Sequence, residues 1–194
     1  MKKGFTLIEL LVVIAILAVL ATAVVLAINP AELIRQGRDS TRVSDIAAVN
    51  SAVILYLADV RTPGLGGPND AACSSATERC TASSTTARKT GGGSCTTHNT
   101  STIVDGNGWV SVDFLNISSD SPLSRLPFDP NNGSTICGTG VNACYYSFIC
   151  NGTSFEINGA MESTKFSNTG GSDVESDDGG NQADLYEVGN KLDI

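Results

Sequence analysis

The chain has 194 residues, a formal net charge of −8 and only 6% aromatic residues. So acidic a composition excludes general binding to nucleic acid or anionic membrane through bulk electrostatics, leaving at most a local basic patch at Arg88-Lys89. The sequence holds no Gly-x-Ser-x-Gly elbow and no phosphate-binding glycine loop, and its one histidine, His98, has no paired nucleophile, so it reads as a non-enzyme.

The first element is an apolar run. Lys2-Lys3-Gly4-Phe5-Thr6-Leu7-Ile8-Glu9 leads into a stretch without further charge that ends at Ile28. As a helix, Phe5 to Ile28 extends roughly 36 Å, enough to cross a ~30 Å hydrocarbon layer with some tilt. Lys2 and Lys3 place the N-terminus in the cytoplasm and everything after Ile28 outside. Glu9 is the anomaly, because an ionised side chain at the bilayer centre costs roughly 2.5–3.5 kcal/mol on insertion scales. A positive chain terminus made by cutting just before Phe5 is the most economical partner for it. Two plainer readings are an ordinary secretory signal cut after Ala21-Thr22-Ala23 and an uncut single-span anchor. The mature chain would begin at Phe5, Val24 or Met1 respectively.

Gly4-Phe5-Thr6-Leu7-Ile8-Glu9-Leu10 resembles the class III signal of bacterial type IV prepilins and type II secretion pseudopilins. The resemblance implies a four-residue leader (1–4) removed after Gly4 by a prepilin peptidase, which also methylates the new terminus at Phe5. It implies that Glu9 is the assembly carboxylate, pairing with the N-terminus of a neighbouring subunit in a helical homopolymer. The further partners implied are the assembly machinery of the inner membrane and the bilayer itself before assembly. The implied location is a single-pass inner-membrane protein, later an extracellular filament.

Past the span (5–28), residues 29–60 continue as an amphipathic helix. Asn29-Pro30 interrupts it, since proline lacks a donor and clashes with the preceding turn. In the family such a proline kinks the helix; a simple bend at the membrane exit is equally compatible. Val43, Ile46, Ala47, Val49, Asn50, Val53, Ile54 and Leu57 recur at spacings of three and four and mark a core face. Arg35, Arg38, Asp39, Arg42 and Asp45 are assigned largely to other faces, and the helix should end near Val60, before Thr62-Pro63-Gly64. The fold class is then α+β: a pilin-like lollipop, with one long N-terminal helix packed on a small antiparallel sheet bearing long disulfide-closed loops.

The head, 61–194, begins with a Ser/Thr-rich loop at 71–102. All six cysteines, Cys73, Cys80, Cys95, Cys137, Cys144 and Cys150, lie in the exported part, and disulfides account for them better than a zinc cluster built on His98. The expected pairing joins neighbours within the first three and within the last three, leaving one link between the groups or two free thiols. Trp109 to Leu115 alternates as a half-buried strand or turn-like edge would, with Trp109 in the core. Leu126-Pro127-Phe128-Asp129-Pro130-Asn131 is similar to a motif found before the sheet in major pseudopilins, and its two prolines fix a bend. The sheet region spans 109–162 and 184–189. Its hairpin, Tyr145–Cys150 and Thr153–Ile157, flanks Asn151-Gly152, a pair suited to a type I′ turn. Phe155, Ile157 and Met161 should face the helix, and a third strand lies near Leu185–Val188. Asp173, Glu175, Asp177, Asp178 and Asp184 form an acidic glycine-rich loop that could take calcium, without the EF-hand pattern; no other cofactor is implied.

Two filament readings follow: a type IV pilus subunit for adhesion, motility or DNA uptake, and the major pseudopilin of a type II secretion system. The absence of a cysteine after Cys150 sits poorly with the usual C-terminal adhesive loop of pilins. A membrane-anchored surface binding protein that never assembles is the alternative of another class.

Overall fold

A computed structural model describes residues 4–67, 73, 78–82, 95, 97–134, 136–137 and 144–194. Most of the Ser/Thr-rich loop, with Arg88-Lys89 and Gly91–Gly93, and the leader residues before Gly4 fall outside the described residues. The chain divides into two compact units, one up to Arg35 and one from Gln36 to Ile194.

In the first unit, α1 runs from Leu7 to Ile28. It is apolar on every side and long enough to span a membrane, and none of its spanning window is buried within the chain. A helix apolar all round needs an apolar environment outside itself. Asn29 ends α1 in the left-handed conformation (φ 46°), which asparagine tolerates better than most residues. The interruption expected at Asn29-Pro30 is therefore one residue long. α2, Pro30–Asp59, starts at once with proline in the first helical position, where its missing N–H has no cost.

In the second unit, α2 turns a stripe of Ile46, Val49, Val53 and Tyr56 into the core. These positions alternate spacings of three and four. The same stripe, extended backward, falls on Arg42 and Asp39. Both are fully buried, which corrects their assignment to an outward face. Ala47 and Ile54, assigned to the core, are exposed instead.

The sheet has five strands in the order β2-β1-β3-β4-β5: β1 Arg79–Cys80, β2 Thr97–His98, β3 Tyr146–Asn151, β4 Ser154–Gly159 and β5 Tyr186–Gly189. It is mixed, because β1 and β2 pair in parallel while the other pairings are antiparallel. The hairpin turn sits one residue later than the sequence suggests. Asn151 pairs with Ser154, so Gly152-Thr153 form the turn. Of the two only Gly152 has a positive φ, 64°, the signature of a type II′ rather than a type I′ turn. Phe148, Cys150, Phe155, Ile157 and Val188 face α2, and Met161 is buried beyond the end of β4.

Trp109 to Leu115 forms no strand. Its turn-like reading holds: an isolated bridge joins Asp105 to Asp113, and a short 3-10 turn covers Phe114–Asn116. Trp109 is buried as expected, its Nε1–H donating to the Pro127 carbonyl at 3.0 Å. The disulfides are Cys80–Cys95, Cys137–Cys144 and Cys73–Cys150, the last linking the two cysteine groups.

Candidate functional site

Gly4, Phe5 and Glu9, singled out in the sequence, lie together at the start of α1. Gly4 is exposed with open space where a side chain would project, and Phe5 is 85% exposed. Thr6 caps the helix. Its hydroxyl oxygen accepts from the Glu9 backbone N–H at 3.3 Å, while Glu9 Oε2 accepts from the Thr6 backbone N–H at 2.8 Å and from the Thr6 hydroxyl at 2.7 Å. This reciprocal capping box satisfies two of the orphan donors of the first turn. It also holds the Glu9 carboxylate against the Thr6 backbone N–H, one residue on from Phe5. The signal was present in the sequence as Thr6-x-x-Glu9, and the reading by charge alone passed over it.

The Leu126–Asn131 bend is held by charge. Arg42 donates through Nε and Nη2 to both oxygens of Asp129, at 2.8 and 3.0 Å, and through Nη1 to Asp39 at 2.7 Å. Asp39 in turn accepts from the backbone N–H groups of Glu162 and Ser163, at 3.1 and 2.8 Å. Arg38 adds an ion pair to Glu162. Burial alone would pull the Arg42 guanidinium down, but Asp129 and Asp39 beside it hold it above its ordinary value. One cluster thus ties α2 to the bend that precedes β3 and to the chain leaving β4. Its members were visible in the sequence; their convergence was not.

The acidic loop is dispersed among its own backbone amides. Asp173 accepts from the N–H groups of Thr169, Glu175 and Ser176 and from the Ser176 hydroxyl, and these bonds, led by that of the hydroxyl, lower its pKa. Glu175 is buried and accepts from the Met161 and Asn168 N–H groups, 2.7 and 2.8 Å, while burial pushes it up to about 7. Asp178 caps Gly180 and Glu187. Asp184 lines a small cleft with Glu175, and Asp177 is exposed. Among the described residues the carboxylates of this loop do not gather into one coordination shell. Two groups do bring three potential ligand residues together, Cys80/Cys95/His98 and Cys137/Cys144/Glu162, but the sulfurs of each are joined as a disulfide.

Residues 1–25 match the family model described as the prokaryotic N-terminal methylation motif. The chain carries a prepilin-type signal. That signal is of the type IV pilin and pseudopilin kind, and it stands here with an apolar helix long enough to span a membrane, an α+β head and disulfides. No curated protein and no solved structure matches the chain.

Proposed function

We propose that this prepilin-type chain is a structural subunit that polymerises through α1 into an extracellular type IV pilus or pilus-like filament. Cleavage after Gly4 frees a terminus at Phe5, which is then methylated, one residue from the Thr6 N–H that the Glu9 carboxylate accepts from. The observation that carries the reading is that no residue of the apolar window of α1, Leu7–Val25, is buried within the chain. In the bilayer lipid covers it; drawn out of the bilayer, it is covered only by other copies of itself. Burial favours that bundle by about 25 cal/mol per Å² of apolar surface. Glu9 then has one role that no apolar residue can fill, pairing with the amine of a neighbour and so setting the axial register. Pro30, at the start of α2, is where the helix would bend on assembly.

The second reading, a major pseudopilin of a type II secretion system, is favoured by the Leu126–Asn131 bend, whose Asp129 is pinned by Arg42. Electron microscopy of sheared surface material separates the two, since a pseudopilin gives long filaments only on overexpression. A surface binding protein that stays anchored gives none in either case.

The test has two arms. The intact mass of membrane-extracted protein should show loss of the first four residues and gain of one methyl group; a retained leader removes the processing step. Glu9→Val should insert into the membrane and be processed, yet yield no filaments. Normal filament yield from that variant would remove Glu9 from assembly.

A further inference from the structure

The sheet face turned away from α2 carries Ser147, Ile149, Glu156, Asn158 and Glu187. Glu156 is fully buried there, and Glu187 is 1% exposed. Register pairs Asn158 with Glu187 and Glu156 with Gly189, so the two glutamates are diagonal neighbours on adjacent strands. Their carboxyl groups lie within hydrogen-bonding reach of each other.

As carboxylates both are only acceptors. Neither Glu156 oxygen, nor Oε1 of Glu187, has a donor in hydrogen-bond geometry, although the Asn158 amide and the Ile194 backbone N–H stand near Glu156. Oε2 of Glu187 accepts from the Gln182 N–H at 2.8 Å. Asp178, from the covering loop, faces the pair with both oxygens engaged by the Gly180 and Glu187 N–H groups, at 2.8 and 2.5 Å. Among the described residues no lysine or arginine is ion-paired with any of the three. Gly180 lies so close that a Cβ there would collide with the Glu187 carboxyl.

We propose that Glu156 and Glu187 share one proton, and that this proton latches the 178–182 loop onto the outer face of β4 and β5. Two buried carboxylates this close cannot both ionise, and a proton between them supplies the missing donor. Burial, followed by the neighbouring acids, pushes Glu187 up to about 8, and burial raises Glu156 as well. A cation would serve the same charge balance but needs several converging oxygens. Those of Asp178 are already given to backbone amides, and the three acids form no common coordination shell.

The direction with pH follows from the raised values. The folded state holds the proton where the unfolded chain, with glutamate at its ordinary 4.5, has lost it. The contribution to stability is therefore complete below about 4.5 and is lost as pH rises toward about 8. Above that the two acids repel, and the loop and edge strand β5 loosen first.

The test is thermal unfolding of the detergent-solubilised, chelator-treated full chain from about pH 5 to about pH 9. The wild type should lose melting temperature across that range. In Glu187→Gln and Glu156→Gln the amide donates without a proton, so the difference from wild type should narrow or reverse toward high pH. A slope in Glu187→Gln equal to that of the wild type overturns the proposal. Should the variants fail to fold, infrared titration in a Glu175→Gln background reads the protonated carboxyl directly; no protonated-carboxyl band at about pH 6 overturns it. Calcium at about 1 mM should leave the melting temperature unchanged. A rise in the wild type, absent in both Gln variants, would make the pair a cation site and end the shared-proton account.

Discussion

Arg42 is the centre of the buried charge cluster in the head. It is fully buried, makes a two-pronged contact with Asp129, and holds Asp39, whose oxygens cap the chain at Glu162 and Ser163. Buried ion pairs add little net stability when formed, because desolvation offsets attraction. Removing one member is another matter, for it leaves uncompensated charge in the core. Arg42→Ala should therefore cost about 3–5 kcal/mol, read from denaturant unfolding of the detergent-solubilised chain. Arg42→Met with Asp129→Asn, which removes charge on both sides, should recover part of that loss. A single variant costing under about 1 kcal/mol would show the cluster to be solvated, as a surface pair is. Glu9 differs in kind: its contacts with Thr6 close a capping box, and their chief consequence is to fix where the carboxylate points.

Elements whose own sequence period matched their surroundings were legible before the fold was known. The stripe of Ile46, Val49 and Val53 marked α2, its expected end near Val60 lies one residue beyond Asp59, and the paired runs of β3 and β4 marked the hairpin. What failed had a common cause, since partners distant in sequence decide it. Arg42 and Asp39 continue the core stripe because Asp129 and the amides near Glu162 wait for them, and nothing local announces that. Trp109 to Leu115 alternates like a strand, yet among the described residues no strand pairs with it; Trp109 is claimed by the Pro127 carbonyl and Ser111 by the Leu65 carbonyl instead. The two-residue strands β1 and β2 are too short for any period to show, and the Cys80–Cys95 bridge holds them together. At the candidate site Gly4, Phe5 and Glu9 were legible from type and spacing, while the capping box needed the Thr6-x-x-Glu9 pattern to be read as structure. The Cys73–Cys150 bridge, spanning 77 residues, fastens the segment before β1 to the end of β3. Replacing both cysteines by serine should cost about 2–5 kcal/mol, whereas opening the seven-residue Cys137–Cys144 link should cost less. Equal losses from the two double variants would mean that strain, rather than loop length, governs these bridges.

For the molecule as a whole the decisive contrast is between an acidic head and an apolar helix. In the proposed processing the formal charge of −8 would become two units more negative, since the leader would take Lys2 and Lys3 with it. In the proposed filament every subunit carries that charge. Burial of α1 against other copies favours assembly whatever the salt, while repulsion between heads opposes it within a Debye length. That length is about 30 Å at 0.01 M ionic strength and about 8 Å at 0.15 M. Filaments should therefore shorten or come apart when dialysed to low ionic strength, and monovalent salt alone should restore them. Sedimentation with negative-stain microscopy measures this directly. Glu9 adds a second, opposite dependence, because its pairing with a neighbouring amine is an attraction that salt weakens if water reaches it. The helix bundle excludes water, so the head repulsion should dominate, and the net effect of salt on wild-type filaments should be strengthening. Filaments that are most stable at low salt would place the governing electrostatic contact in an attraction between subunits, and the repelling acidic heads would then be no part of what limits assembly.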